Sequence, residues 1–341
     1  MIKLETFHDS IAAEWDDFVR TSRNGTFLHS RPFFQHNAAN SLDDCSIVFR
    51  SGSRIAAVLP AILQDHAGRR VLHSHPRSTY GGLILSNELS AREVVDCVSL
   101  LVEHSKSLNV DEVVIRSPFR ILHSRPSDEV DYGLWRAGFR VQSRELELAV
   151  PLETVDPNDL LTSFTAKART STRRAIKTGV QVKQTLDYAE FWDILETNLR
   201  ERHDTRPTHT LAQFSRLREL VGEERVSLWG GYLDGRLIAG VVLFIPNKQA
   251  THAQYIASRA EFSRFCALNA VLSQIIKWSA ENRFKYFNLG MATENAGRDM
   301  NEGLIHFKEG FGARGVLRET MALTLKPAAP VEQATRPARL P

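Results

Sequence analysis

Apolar positions along the chain switch between a helical and a strand period, and the switches define its elements. Ile11, Trp15, Phe18 and Val19 share one face of a helix. Asn24-Gly25 marks a turn, and 29–39 reads as a second helix with Ser30 as its cap and Pro32 in its first turn. Strands over 45–49 and 55–63 flank a hairpin turn at Ser51-Gly52-Ser53. Ser90 with Glu93 three positions on is the capping-box signature of a long helix ending near Leu108. A strand over 112–116, a helix running into Trp135 and a strand over 140–150 finish the first half.

The second half repeats that order. A basic helix over 166–178 is stopped by Gly179. A strand over 180–184 and helices over 189–201 and 211–221 follow. Strands over 226–233 and 237–245 form a hairpin across Asp234-Gly235, the strongest short-range turn signal in the chain. A strand over 250–257, a helix over 267–281, a short strand at 286–290 and a short helix over 304–311 precede a strand over 316–325, which is expected to close the sheet. Hairpins mixed with crossover helices predict α/β architecture with mixed, partly antiparallel sheets. The chain is expected to divide into domains over 1–152 and 153–326, with a disordered Pro-rich tail over 327–341.

Composition narrows the function only slightly. With 341 residues, 43% hydrophobic content and a net charge of +3, the chain is an ordinary globular protein and not a nucleic-acid binder by charge alone. The first ten residues lack the apolar core of a secretion signal, and no apolar run approaches the ~20 residues of a membrane span. Cys45, Cys97 and Cys266 read as reduced thiols without a disulfide frame, so the expected location is cytoplasmic. His73-Ser74-His75 lacks partners at metal-ligand spacing, no nucleotide fingerprint is present, and no metal is expected.

Several segments together resemble the FemAB-like branch of the GNAT N-acetyltransferase superfamily. They are Phe27-Leu28-His29-Ser30, the stretch from Arg173 to Val180, Arg202-His203-Asp204-Thr205-Arg206-Pro207 with Phe214, and Gly303 to Gly312 around Phe307-Lys308. The block over 226–282 is similar to the core of an N-acetyltransferase domain. The resemblance implies tandem GNAT-like domains with the active cleft near their junction. It also implies an acyltransferase that moves an acyl or aminoacyl group onto an amine of a peptidoglycan, exopolysaccharide-related or other cell-envelope acceptor. The donor is left open between aminoacyl-tRNA, acyl-CoA and a carrier-bound acyl group, with no tightly bound cofactor. A conventional acyl-CoA N-acetyltransferase and a non-catalytic GNAT-fold scaffold are the alternatives.

Acyl transfer to an amine must stabilise a tetrahedral oxyanion. The resemblance gives that place to Lys308, which otherwise reads as an exposed lysine on a short helix. Phe307 beside it is expected to anchor in the core. His203 next to Asp204 is the candidate base, and Arg202 and Arg206 are candidates for gripping a carboxylate or phosphate; ordinary loop polarity explains all of them equally. Lys167, Arg169, Arg173, Arg174 and Lys177 share a helix without an acid. They are either a phosphate-binding face, with Arg173, Arg174 and Lys177 as its core, or a solvated one. Tyr80 lines the cleft from the first domain or serves packing. In acyl-CoA-using members of the superfamily a glycine-rich loop holds the pyrophosphate. Here that loop, 258–265, has no glycine and offers Arg259 and Arg264 instead. Cys266 next to it is a candidate activated thiol or a buried one.

Overall fold

The computed structural model describes residues 1–38, 43–66, 68–75 and 77–326, with the side chains of 37, 38, 66, 202 and 203 outside the description. The expected tail over 327–341 lies outside the described residues. The strands are β1 (Ile2–Thr6), β2 (Asp43–Asp44), β3 (Ile47–Ser51), β4 (Arg54–Leu59), β5 (Ile62–His66), β6 (Arg69–His73), β7 (Ile84–Leu85), β8 (Glu112–Arg116) and β9 (Arg140–Pro151) in the first half. The second half adds β10 (Gln181–Thr185), β11 (Val226–Leu233), β12 (Arg236–Phe244), β13 (Ala250–Ser258), β14 (Tyr286–Met291), β15 (Thr293–Glu294), β16 (Asp299–Met300) and β17 (Arg314–Thr324). Helices are α1 (Ala12–Thr21), α2 (Arg31–Ala38), α3 (Ala91–Ser107), α4 (Glu129–Arg136), α5 (Ala166–Lys177), α6 (Tyr188–His203), α7 (Leu211–Val221), α8 (Ala267–Glu281) and α9 (Glu302–Glu309).

Local signals place most of these elements. Ser90 Oγ accepts from the Glu93 amide while the Glu93 carboxylate accepts from the Ser90 amide, closing the expected capping box of α3. Asp234 and Gly235 both take the left-handed region, at φ +50° and +79°, as a two-residue hairpin turn requires. The strand expected over 55–63 is instead two strands. Pro60 has no N–H to offer a ladder, so β4 ends at Leu59 in one sheet and β5 begins at Ile62 in another. Ser30 precedes α2, but its hydroxyl donates to Phe27 O at 2.7 Å; Thr26 caps the turn Phe27–His29 instead.

The main sheet has eleven strands in the order β10-β11-β12-β13-β14-β9-β17-β8-β6-β5-β2, and β1-β3-β4-β7 form a second sheet. All pairings in the main sheet are antiparallel except β13 with β14 and β6 with β8. β17 therefore does not close the sheet. It lies inside, between β9 (Arg314↔Ala149 to Ala322↔Arg140) and β8 (Thr320↔Arg116 to Thr324↔Glu112). β9 in turn pairs with β14. Each half thus supplies a strand to the other, and hydrogen bonding crosses the expected 152/153 division.

The cores follow the same exchange. Met321 of β17 is buried with Leu101, Val113 and Phe139 of the first half, and Leu148 and Val150 of β9 are buried with Val271, Ile275 and Phe287 of the second. A third core joins the halves: Phe27, Phe33 and Phe119 pack with Trp192, Phe214, Phe244 and Tyr255. Phe27 meets Phe244 edge-on at 5.4 Å, and Asn247 Nδ2 donates to Gly25 O and Leu122 O across the same seam. No described helix is long and apolar enough to cross a membrane.

A fragment ending at 152 lacks β17 and loses the neighbour of β8 and the Met321 contact. We predict that 1–152 alone shows no cooperative thermal unfolding, and that the fragment regains it when 314–326 is appended through a flexible linker. A cooperative melt of 1–152 by itself would mean the exchanged strand is dispensable.

Candidate active site

β13 and β14 run in parallel for three residue pairs, Ala250–His252 with Tyr286–Asn288, and then separate. β14 bends toward β9 through an irregularity between Asn288 and Met291, with Gly290 at φ +82°. Asn288 Oδ1 accepts from the Gly290 amide at 2.9 Å and fixes the bend. Lys308 enters the opening from α9: its Nζ donates to Gly290 O at 2.8 Å and Met291 O at 2.7 Å. An ammonium has three donors, and the third has no acceptor among the described residues.

α9 is held rigidly for this purpose. Asn301 Oδ1 accepts from the Leu304 amide at its start, and Ile305 is buried in the second-half core. Phe307 packs edge-on against Phe311 at 5.3 Å, as a core anchor should. After Lys308, Gly310 permits close approach to α5; a Cβ there would lie 3.2 Å from Ala168 Cβ. Gly312, at φ +84°, makes the turn into β17.

Lys308 is 3% exposed, so the exposed-lysine alternative fails. Burial draws its pKa down to about 8, against the weaker opposing attraction of Glu147. Glu147, on β9, is 1% exposed; its Oε2 accepts from Asn288 Nδ2 at 2.6 Å, and its Oε1 lies 3.4 Å from Arg318 Nη1. Burial pushes this carboxyl above its ordinary value, although Arg318, Asn288 and Lys308 pull the other way. Arg318 on β17 also binds Glu145, at 2.9 Å. His252 faces the same opening with Nδ1 buried and unpartnered, and burial, then Lys308 and Arg318, drive its pKa to about 3. A Cβ on Gly290 would lie 4.0 Å from both His252 Cε1 and Lys308 Nζ, so these groups converge on one point. The arrangement offers a fixed cation with a free donor, a neutral imidazole and a buried carboxylate.

The other residues expected at the site are spread differently. Arg173, Arg174 and Lys177 are exposed on α5 and make no ion pair among the described residues. α5 starts where the Thr165 amide donates to Gly310 O, and its Ala175 packs in one cluster with Phe262 and Phe265. The basic helix thus runs from the end of α9 to the 260–265 turn. Arg264 is exposed on that turn, with its guanidinium 4.8 Å from the Phe265 ring. Arg259 is a correction. Its Nε donates to Leu237 O and its Nη2 pairs with Glu190 at 3.3 Å, so internal partners occupy it. Cys266 occupies the cap position of α8 at φ +54°, half-buried, with Sγ 3.8 Å from Arg264 O. Tyr80 is 3% exposed, packed against His29 and Phe119 at the seam between halves, so it does not line an open cleft. α6 extends to His203, but the side chains of His203 and Arg202 lie outside the described residues; Arg206 is exposed. His209, three residues further, folds back so that its Nδ1 is 2.7 Å from Tyr255 Oη.

Sequence reasoning missed Glu147, Asn288, His252 and Arg318. The available signal was polar residues within apolar stretches of strand: Glu145 and Glu147 alternate with Leu146 and Leu148, and Asn288 sits between Phe287 and Leu289. Such positions call for a partner.

Residues 163–308 match the acetyltransferase (GNAT) domain family. The second half is a GNAT domain. Among solved structures, FemX superposes with a TM-score of 0.71 at 15% identity, covering 94% of this chain and 97% of that one. The C-terminal domain (DUF2156) of a putative lysylphosphatidylglycerol synthetase from Agrobacterium fabrum gives 0.57 at 14% identity, covering 92% and 91%. A tandem GNAT protein from the clavulanic acid biosynthesis pathway gives 0.53 at 13%, covering 96% and 100%. These likenesses extend the resemblance to the Fem-type branch over the fold of both halves. No curated protein matches the chain significantly. Within the GNAT domain, Lys308 is the last matched residue.

The folded-state pKa of Lys308 lies below the unfolded value of about 10.4, so the unfolded chain binds more protons between the two. Stability contributed by this group therefore rises as pH increases from about 8 toward about 10, by up to about 3 kcal/mol. Lys308→Met lacks this term: its melting temperature relative to wild type should be highest near neutral pH and decline across that window. A pH-independent difference would mean Lys308 titrates normally.

Proposed function

We propose that this chain transfers an acyl or aminoacyl group to an amine of a cell-envelope acceptor. The observation that carries the reading is the buried Lys308 ammonium, held by two carbonyls with one donor free at the point where β13 and β14 part. Strands that separate leave backbone groups open to a ligand, and an acyl chain fits such a slot. The acceptor nitrogen bonds to the carbonyl carbon, the C=O electron pair moves to oxygen, and the resulting oxyanion accepts from Lys308. Collapse expels the thiolate or alkoxide, and the proton lost by the amine neutralises it. Glu147, Asn288 and Arg318 act as positioning residues that hold the charge balance around the lysine.

A phosphate-bearing donor suits α5 and Arg264, whose free cations flank the start of α8. The absence of glycine from 258–265 and the engagement of Arg259 by Glu190 favour a tRNA- or carrier-borne donor over acyl-CoA. The envelope acceptor is supported by the fold likeness to FemX and to lysylphosphatidylglycerol synthetase structures.

Lys308→Ala should lower kcat by about a hundred- to a thousandfold, the loss of one oxyanion donor, while circular dichroism stays native. Wild-type activity, which needs the ammonium, should fall as pH rises through about 8. Unchanged turnover in Lys308→Ala removes the lysine from the reaction. Melting temperatures with saturating CoA, acetyl-CoA or aminoacyl-tRNA separate the donors: about 2.7 kcal/mol of stabilisation is expected at about 100 times the dissociation constant. We expect the shift with aminoacyl-tRNA; a shift with CoA alone would reverse that order.

A further inference from the structure

The two halves place a histidine at the same point of the same motif. His73 is the last residue of the three-pair parallel ladder between β6 and β8, as His252 is of that between β13 and β14. In both, Nδ1 is buried without a partner. Two residues beyond the ladder, where β14 has Gly290 with Lys308 filling the opening, β8 has Arg116. In the first half the Ser74 and Gly81 amides close this gap by donating to Val114 O and Arg116 O, and the cation at the equivalent place is carried by β8 itself.

Arg116 is half-buried and its Nε donates to Thr320 Oγ1 at 3.1 Å. It makes no ion pair among the described residues, because Glu145 and Glu147, the acids along the same stretch of β9, are both bound by Arg318. Burial and then the like charge of Arg318 press on its cationic form, against a weaker attraction from Glu145. Its backbone is fixed: the amide donates to Ser74 Oγ and the carbonyl accepts from Gly81. A half-buried guanidinium without an ion-pair contact costs free energy that a bound anion restores, and its fork matches an oxyanion.

We propose that Arg116 and His73 form an oxyanion-binding position in the first half, taking a carboxylate or phosphate group. The guanidinium donates to the oxyanion, and the neutral imidazole adds a third donor through Nδ1–H. Thr320 lies opposite Arg116 and Val316 opposite Glu147, four residues or about 13 Å apart along β17, and β8 lies three strands from β14, about 14 Å at about 4.8 Å per strand, so the two positions stand about 20 Å apart. Resting on the acyl-transfer reading, one acceptor with an amine and an anionic group separated by about that span bridges both.

The test is titration of the full chain with inorganic phosphate and, separately, with acetate, read by backbone amide resonances and by melting temperature. Saturable shifts at Ser74, Gly81 and Arg116 are expected with one or both anions, the responding anion naming the phosphate or carboxylate source. Arg116→Gln should weaken that anion's binding by at least about tenfold, the value of a charged hydrogen bond, while Lys106→Gln, exposed on α3, leaves it unchanged. If Arg116→Gln does not fold, His73→Asn carries the same comparison. Shifts confined to α5, full binding by the variant, or no saturable response to either anion overturns the assignment. No acyl donor is present, so failure here is distinct from failure of the transferase reading.

Discussion

β9 and β17 pair with each other along most of their length, and each has its further neighbour in a strand of the other half. β9 reaches β14 at one end, β17 reaches β8 at the other, and the two pair with each other through the middle. An unpaired buried backbone group costs about as much as a lost hydrogen bond, so this ladder ties the relative placement of the halves to the formation of the sheet itself. The aromatic seam from Phe27 to Phe244 adds apolar burial to the same joint. Motion of one half against the other would have to break strand pairing, not merely slide a surface.

The polar residues of the candidate site depend on that joint. Glu147 rides on β9, Arg318 on β17, Asn288 on β14 and Lys308 on the helix preceding β17. A lysine that is almost fully buried is tolerated because two carbonyls accept its protons and a carboxylate stands near it. Glu147 is tolerated because Asn288 and Arg318 satisfy it. Removing one member leaves another charge buried without compensation, so the group is held as a unit. The two ladder-ending histidines extend the parallel between the halves from secondary structure to chemistry. The halves nonetheless diverge there: one gap is plugged by a lysine from α9, and the other is closed by the Ser74 and Gly81 amides beside an arginine of its own strand.

The exposed basic helix is a different kind of feature. Arg173, Arg174 and Lys177 make no ion pair among the described residues, they flank a turn without glycine, and α5 links the end of α9 to that turn through packing of its small apolar face. The charge is placed by the helix's burial pattern: Ala168, Thr172 and Ala175 are buried, which leaves Arg173, Arg174 and Lys177 facing solvent. Amphipathicity alone therefore builds a ridge of positive charge beside the GNAT core.

From the sequence alone, most helices and the longer strands, the α/β class, the capping box of α3, the Asp234-Gly235 hairpin and Lys308 as the residue to watch were legible, because each depends on neighbours a few residues away or on a short motif; β1, β6 and β7 were not. The interior place of β17, the sheet change at Pro60 and the engagement of Arg259 by Glu190 were not, since each depends on which strand or helix lies alongside. The partners of Lys308 were hidden for the same reason. Asn288 and Glu147 are 141 residues apart in the chain and 2.6 Å apart in space, and only the register of an exchanged strand brings them together. Local periodicity determined what the pieces are; the pairing of backbone ladders across the two halves decided which charges are buried together.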